Sequence, residues 1–139
     1  KSGITYDQQP MTFYAFIAVG LGAAMGAWLR WGLGLWLNAT YAELPLGTLS
    51  ANLVGGFLIG YTVAFFFQHP GLSPEWRLLI ITGFLGGLTT FSTFSIETVT
   101  LLARGQYIWG ATIILTHLGG SLIMTVLGLY TFKWLHQSY

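Results

Sequence analysis

Phenyl rings and hydroxyl groups alternate along one stretch of the chain, residues 89–97, with the sequence TTFSTFSIE. If this stretch is helical, Phe91 and Phe94 share a face, because residues three apart are neighbours on a helix. Phenyl edges are the positive part of the ring quadrupole, and hydroxyls donate hydrogen bonds. Neither group carries a fixed charge that would hold an ion too tightly to release it. Two interpretations stay open, ordinary helix packing and the lining of a route for a small anion.

A second polar face follows from the same helical spacing. Thr90, Thr93 and Glu97 are separated by steps of three and four residues. Glu97 is the only ionisable side chain among the 26 residues between Arg77 and Arg104. About 20 apolar residues are enough to cross a bilayer, so this uncharged run is a membrane span with polar groups inside it.

Three glycines, Gly83, Gly86 and Gly87, lie just before the hydroxyl cluster. A glycine in a helix interior costs about 1 kcal/mol relative to alanine. Broken backbone at membrane depth survives only where it is buried in protein or lines a wet cavity, and its freed carbonyls can bind a cation. The alternative is a glycine-rich packing face, which is common in membrane bundles. The glycines alone favour neither interpretation.

The composition predicts a membrane protein. The chain has 139 residues, of which 54% are hydrophobic and 6% are charged, whereas soluble domains carry about 25% charged residues. It has no cysteine, which excludes disulfides and thiolate metal sites, and its formal net charge of +1 gives no indication of nucleic-acid binding. We predict an all-α integral membrane protein with one domain, residues 12–139. Its four transmembrane helices would span about 13–37, 47–68, 76–103 and 107–135.

The first residues of the chain are polar. They lack the charged, apolar and small-residue segments of a signal peptide. We expect residues 1–11 to be a flexible arm or a remnant of cloning, outside the membrane domain.

Each of the other spans carries a candidate polar residue. Arg30 lies near the end of the first span, where it can snorkel to the head groups. Asn52 lies in the first half of the second span, and its spacing alone favours a hydrogen bond across helices as structural glue. His117 lies within the fourth span, where a functional group and a hydrogen-bonded structural histidine are equally plausible.

The charges in the loops leave the orientation open. Four spans put both termini on one side, which carries Arg77 and Lys133, while the other side carries Arg30 and Arg104. Orientation follows the Lys/Arg bias of short loops, and that bias is nearly absent here. We therefore predict insertion in both orientations, which would allow an antiparallel homodimer with a two-fold axis in the membrane plane.

Three motifs of the sequence resemble those of the Fluc (CrcB) family of bacterial fluoride channels. The third-span motif is GFLGGLTTFSTFS at residues 83–95. The first-span motif is GAAMGAWLRW at 22–31, and the second combines GTL at 47–49 with Asn52 and GGF at 55–57. The third-span motif is long and chemically unusual, so a chance match is improbable.

The resemblance implies a dual-topology homodimer that passively exports fluoride across the bacterial plasma membrane. It further implies two antiparallel pores per dimer and a structural sodium ion at the centre, bound by backbone carbonyls where the third helix is broken. The carbonyl donors would be Gly86 and Thr89, and the pore phenylalanines would be Phe91 and Phe94. The resemblance also assigns residues near the ion path: Asn52 beside the rings, Thr90, Thr93 and Glu97 after the break, Arg30 on the first span, and His117, Ser121 and Thr125 on the fourth.

Two rival hypotheses remain from the residues. A small multidrug-type proton-coupled exporter also uses about four helices and antiparallel dimers, but it needs an intramembrane carboxylate in its first span. The only candidate here is Glu97, in the third span. A structural subunit would use the glycines for packing alone. An enzyme is less plausible, because the sequence has no nucleophile–base pair or metal-ligand cluster.

Overall fold

A computed structural model describes residues 11–137 as a bundle of five helices. The predicted arm lies outside this range, except for its last residue, Met11. The helices make four spans that are long and apolar enough to cross a membrane, which confirms the predicted all-α, four-span fold. We number them α1 (Phe13–Leu37), α2 (Leu46–Gln68), α3 (residues 74–88), α4 (Phe91–Ala103) and α5 (Tyr107–His136). The third span contains both α3 and α4.

The starts of α1 and α2 are capped by side chains. Thr12 Oγ1 accepts a hydrogen bond of 3.1 Å from the Ala15 amide. Helix α2 follows Pro45, which has no side-chain acceptor, and Asn38 supplies one instead: its Oδ1 accepts from the amides of Gly47 at 2.8 Å and Thr48 at 3.2 Å. These bonds satisfy amides that a helix start leaves without a partner.

Two spans contain a wide, π-helical segment. One covers Leu78–Leu85 in α3, and the other covers Leu115–Gly119 in α5. Hydrogen bonds in a π-helix skip one residue more than in an α-helix, and such segments occur often at functional sites. Sequence periodicity gave no indication of either segment.

Helix α1 packs closely on α3 through glycine. A Cβ atom on Gly26 would overlap the Phe84 carbonyl oxygen, and one on Gly22 would overlap that of Leu79. On the facing helix, a Cβ on Gly83 would lie 2.7 Å from the Val19 oxygen, and one on Gly87 would overlap the Ala23 oxygen. We call these four glycines the glycine seam. The seam explains the small-xxx-small spacing of the first span.

A second close contact joins α2 to α5. A Cβ atom on Gly60 would overlap the Thr125 oxygen, and one on Gly128 would overlap the Phe57 oxygen. Outside these contacts, many large apolar side chains face outward, as Phe67 and Ile108 do. In a membrane such a surface faces lipid or another subunit. The two glycine contacts hold the first half of the third span against α1, and α5 against α2.

Candidate functional site

The third span leaves the helical conformation at two residues. Helix α3 ends at Leu88, and Thr89 (φ −83°, ψ 152°) and Thr90 (φ −149°, ψ 114°) are extended before α4 begins at Phe91. The departure thus falls on the threonines that follow the glycines. We call Thr89 and Thr90 the extended pair.

Side chains replace the helical hydrogen bonds at the extended pair. Asn52 makes two bonds with Thr90: its Oδ1 accepts from the Thr90 amide at 2.7 Å, and its Nδ2 donates to the Thr90 carbonyl at 3.1 Å. Arg30 Nε donates to the Gly87 carbonyl at 3.0 Å. Thr90 Oγ1 accepts from the Thr93 amide at 3.2 Å, which caps α4. The half-buried Arg30 side chain therefore points to the backbone of the third span, inside the bundle. This differs from the expected snorkelling, which would direct it to the lipid head groups.

Because side chains replace these helical hydrogen bonds, two carbonyls lose their helical donors. In an α-helix each amide donates to the carbonyl four residues earlier. The Thr90 amide would donate to Gly86, and the Thr93 amide to Thr89, but both amides donate to side chains instead. The carbonyl oxygens of Gly86 and Thr89 therefore lack the amide donor that a continuous α-helix would supply four residues later.

Asn52 also reaches the fourth span. Its Nδ2 lies 2.9 Å from His117 Nδ1. The His117 ring stacks on Phe94 with a centroid distance of 4.9 Å and is 3% exposed. His117 Nε2 is buried and has no hydrogen-bond partner among residues 11–137. Asn52 therefore links α2 through side-chain hydrogen bonds to both the extended pair and α5.

A crevice of about 510 Å³ opens beside the extended pair, and we call it the central crevice. Among residues 11–137, no Asp, Glu, Lys or Arg lines it. Phe94 lies in its wall and is 6% exposed, whereas Phe91 is 71% exposed. The two rings meet edge to face at 5.2 Å. Nine of the site residues named from the sequence line this crevice: Asn52, Gly86, Thr89, Thr90, Phe91, Phe94, His117, Ser121 and Thr125.

The remaining three lie on the other side of the extended pair. Arg30 and Thr93 line a smaller crevice of about 310 Å³, the polar crevice, together with Thr48. Glu97 Oε1 accepts a hydrogen bond of 2.7 Å from the Thr48 hydroxyl. Thr90 lines both crevices, so the extended pair separates them.

Sequence reasoning missed Thr48. It is 4% exposed and lies one helical turn before Asn52 on α2. The spacing shared by Thr48 and Asn52 was the available indication, because both side chains project from one face of the helix. Together they bond two positions of the third span, Glu97 and Thr90.

The chemistry of the central crevice suits an ion that passes through. Hydroxyl groups, an amide, an imidazole and phenyl edges interact with an anion weakly enough to release it. Within the described part of the chain, no three His, Cys, Asp or Glu side chains group as a metal site.

The fold and the central crevice define a small multi-pass membrane protein with a crevice that no Asp, Glu, Lys or Arg lines among residues 11–137. Residues 17–129 match the family described as CrcB-like protein, Camphor Resistance (CrcB), and the chain belongs to this family. The family predicted from the three sequence motifs is thus confirmed.

The curated relatives share most of the chain. A protein of Nitrosospira multiformis, named fluoride-specific ion channel FluC, is 62% identical over 127 residues, covering 91% of this chain and 99% of the relative. Proteins of the same name from Thiobacillus denitrificans and Pseudomonas paraeruginosa are 62% and 61% identical over 121 residues. Each covers 87% of this chain, with 98% and 95% of the relative matched. Their name describes a transport protein rather than an enzyme.

Proposed function

We propose that this chain is the subunit of a fluoride-selective channel that passively exports fluoride across the bacterial plasma membrane and so lowers cytoplasmic fluoride. The observation that carries the proposal is the central crevice, uncharged and lined by Asn52, Phe91, Phe94 and Ser121 at mid-span. The relatives named fluoride-specific ion channel support the choice of ion.

Few hydroxyl hydrogens in the crevice are available to an anion. The Thr89 hydroxyl donates to the Leu85 carbonyl and the Thr125 hydroxyl to the Ser121 carbonyl, each at 2.9 Å. The Ser121 hydroxyl makes no such bond within residues 11–137. This hydroxyl and the phenyl edges are therefore groups that can face the ion. Thr125 would contribute by shaping the wall, unless its hydroxyl turns away from its own helix.

The pore would form between two antiparallel copies. Phe91 is mostly exposed on the single subunit, and the central crevice opens at the same surface. A partner subunit would cover the Phe91 ring and the opening of the crevice, so the ring would pack against protein. The near-equal Lys/Arg counts on the two sides support opposite orientations of the two copies.

A structural sodium ion would bind where the third helix is broken. The Gly86 and Thr89 carbonyls, whose helical donors are diverted, both belong to residues of the central crevice. Carbonyl oxygens are ligands that hard cations accept, and two copies would supply four of them. The ion would add positive charge near mid-membrane, where it would attract fluoride.

A proton-coupled exporter is less well supported. Its carboxylate would be Glu97, which bonds Thr48 and does not line the central crevice. The relatives are named ion channels.

The test is efflux from liposomes that contain the purified protein, read with a fluoride electrode beside a chloride electrode. We expect fast fluoride release and negligible chloride release. A folded protein that releases no fluoride would overturn the channel, and ethidium-driven proton exchange would then support the exporter.

A further inference from the structure

The orientation of the Asn52 amide is fixed by the backbone of Thr90. The Thr90 amide can only donate, so the Asn52 atom 2.7 Å away is the oxygen. The Thr90 carbonyl can only accept, so the atom 3.1 Å away is the nitrogen. An amide flip would break both bonds. The extended pair therefore determines which end of Asn52 points to the fourth span.

This orientation determines the tautomer of His117. The Asn52 Nδ2 group has donors and no acceptor, and it lies 2.9 Å from His117 Nδ1. Nδ1 must then accept, which means that it carries no proton. A neutral imidazole has one proton, so that proton is on Nε2. The imidazolium form is incompatible with this contact, because it would place a donor against a donor.

Within the described part of the chain, the proton on Nε2 has no acceptor. Nε2 is buried without a hydrogen-bond partner among residues 11–137, and His117 lines the central crevice. A buried donor without an acceptor is unfavourable. His117 lines the central crevice, so an anion that reaches Nε2 from there would be such an acceptor.

We propose that the Thr90 backbone, acting through Asn52, holds His117 in the neutral Nε2–H tautomer and so presents one uncharged N–H donor to fluoride. The fluoride step rests on the proposed function, whereas the tautomer does not. Asn52 is then a positioning residue, and His117 contacts the ion alongside the Ser121 hydroxyl and the phenyl edges. A neutral donor binds an anion less tightly than a cationic one, which permits exit.

The tautomer can be measured by ¹⁵N NMR of the wild-type protein with labelled histidine rings. The chain supplies its own controls, because His69 Nδ1 lies 2.7 Å from the Phe65 carbonyl and His136 Nδ1 lies 2.9 Å from the Phe132 carbonyl. Carbonyls only accept, so these two rings carry the proton on Nδ1. We expect one histidine ring with its proton on Nε2. The signals of that ring should be absent in His117→Gln, which assigns them to His117. A His117 ring with the proton on Nδ1, or exchanging between both nitrogens, would overturn the proposal.

Asn52→Asp tests the link between the two residues. A carboxylate can accept from the Thr90 amide as before, but it also accepts from His117. We expect the His117 proton to move to Nδ1 in this variant, and the positions of the His69 and His136 protons to stay unchanged. An Nε2–H tautomer that survives in folded Asn52→Asp would show that Asn52 does not set it.

Two variants of His117 test the contact with fluoride. The glutamine amide nitrogen can occupy the place of Nε2 and keep a donor there, whereas the asparagine side chain reaches only the place of Nδ1. A hydrogen bond to a charged group is worth about ten- to a hundredfold in an equilibrium constant. We therefore expect a smaller loss of fluoride efflux in His117→Gln than in His117→Asn, where the loss should be about ten- to a hundredfold.

The outcomes separate the two steps. Equal efflux in folded His117→Gln and His117→Asn would overturn the contact with fluoride and leave the tautomer to NMR. A wild-type protein that conducts no fluoride would overturn the proposed function and the fluoride step together. The NMR result on the same sample would still decide the tautomer.

Discussion

The glycine seam and the extended pair solve the same problem, backbone polar groups in a membrane, in opposite ways. In the seam, Gly22, Gly26 and the other two glycines lack side chains, so the two helices touch backbone to backbone without losing their helical conformation. At the extended pair the helical bonds are lost, and side chains such as Asn52 satisfy the backbone. Gly87 shows both solutions, since in the seam it packs on Ala23, and its carbonyl accepts from the Arg30 side chain just before the extended pair. Glycines without side chains let α1 and α3 pack in close contact, whereas polar side chains such as Asn52 and Arg30 form a site around the extended pair.

The largest effect is expected from filling the seam. In Gly26→Ala the new Cβ would overlap the Phe84 carbonyl oxygen, so the backbones of α1 and α3 must separate. Overpacking costs about 1–3 kcal/mol, and backbone on both sides gives little room for relief. We expect a large loss of folded protein and a lower thermal midpoint in detergent.

The matched control is Gly20→Ala on the same helix, where a Cβ would meet nothing within 4 Å. Alanine is the better helix former by about 1 kcal/mol, so this variant should keep or raise the midpoint. If Gly26→Ala were as stable as Gly20→Ala, the glycine seam would not be a packing contact.

Removal of sodium should act on the extended pair and spare the seam. If the ion holds the Gly86 and Thr89 carbonyls, its replacement by N-methylglucamine on both sides should reduce fluoride efflux by at least about tenfold. A tenfold loss corresponds to about 1.4 kcal/mol. Restored efflux on return of sodium is the control for intact protein. Full efflux without any alkali cation would count against the sodium site.

The phenylalanine pair should separate stability from conduction. Phe94 is 6% exposed and stacks on His117, whereas Phe91 is 71% exposed. Phe94→Ile should cost about 1 kcal/mol of stability, as shape changes in a packed site do. Phe91→Ile should leave the stability of the subunit unchanged. Aromatic contacts are worth about 0.5–1.5 kcal/mol, so both variants should lower fluoride efflux by up to about tenfold.

These variants need two readouts, the thermal midpoint in detergent and efflux from liposomes. Efflux at the wild-type rate in both would remove the aromatic role from the proposed pore. An equal loss of stability in both would mean that Phe91 is covered by something other than the subunit described here.

The sequence predicted the four spans because each one is a long apolar run, and a bilayer allows few other structures. It left the glycines undecided, and the structure gives different answers for different ones: Gly83 and Gly87 pack on α1, while Gly86 lines the central crevice. That distinction depends on which helix lies opposite, so local pattern could not supply it. The hydrogen bond from Thr48 to Glu97 joins residues 49 positions apart, so local pattern could not predict it either.

The smallest effect is expected at the boundary between the extended pair and α4. Thr90 Oγ1 caps α4 by accepting from the Thr93 amide, and loss of such a cap costs about 0.5–2 kcal/mol. Thr90→Val should lower the free energy of unfolding by that amount, measured as a lower thermal midpoint in detergent, and Thr90→Ser should restore it. Thr112→Val is the control, because the Thr112 hydroxyl bonds only the Ile108 carbonyl within a continuous helix. If Thr90→Val cost no more than Thr112→Val, the conformation at Thr90 would be held by Asn52 alone, and the cap would be incidental to it.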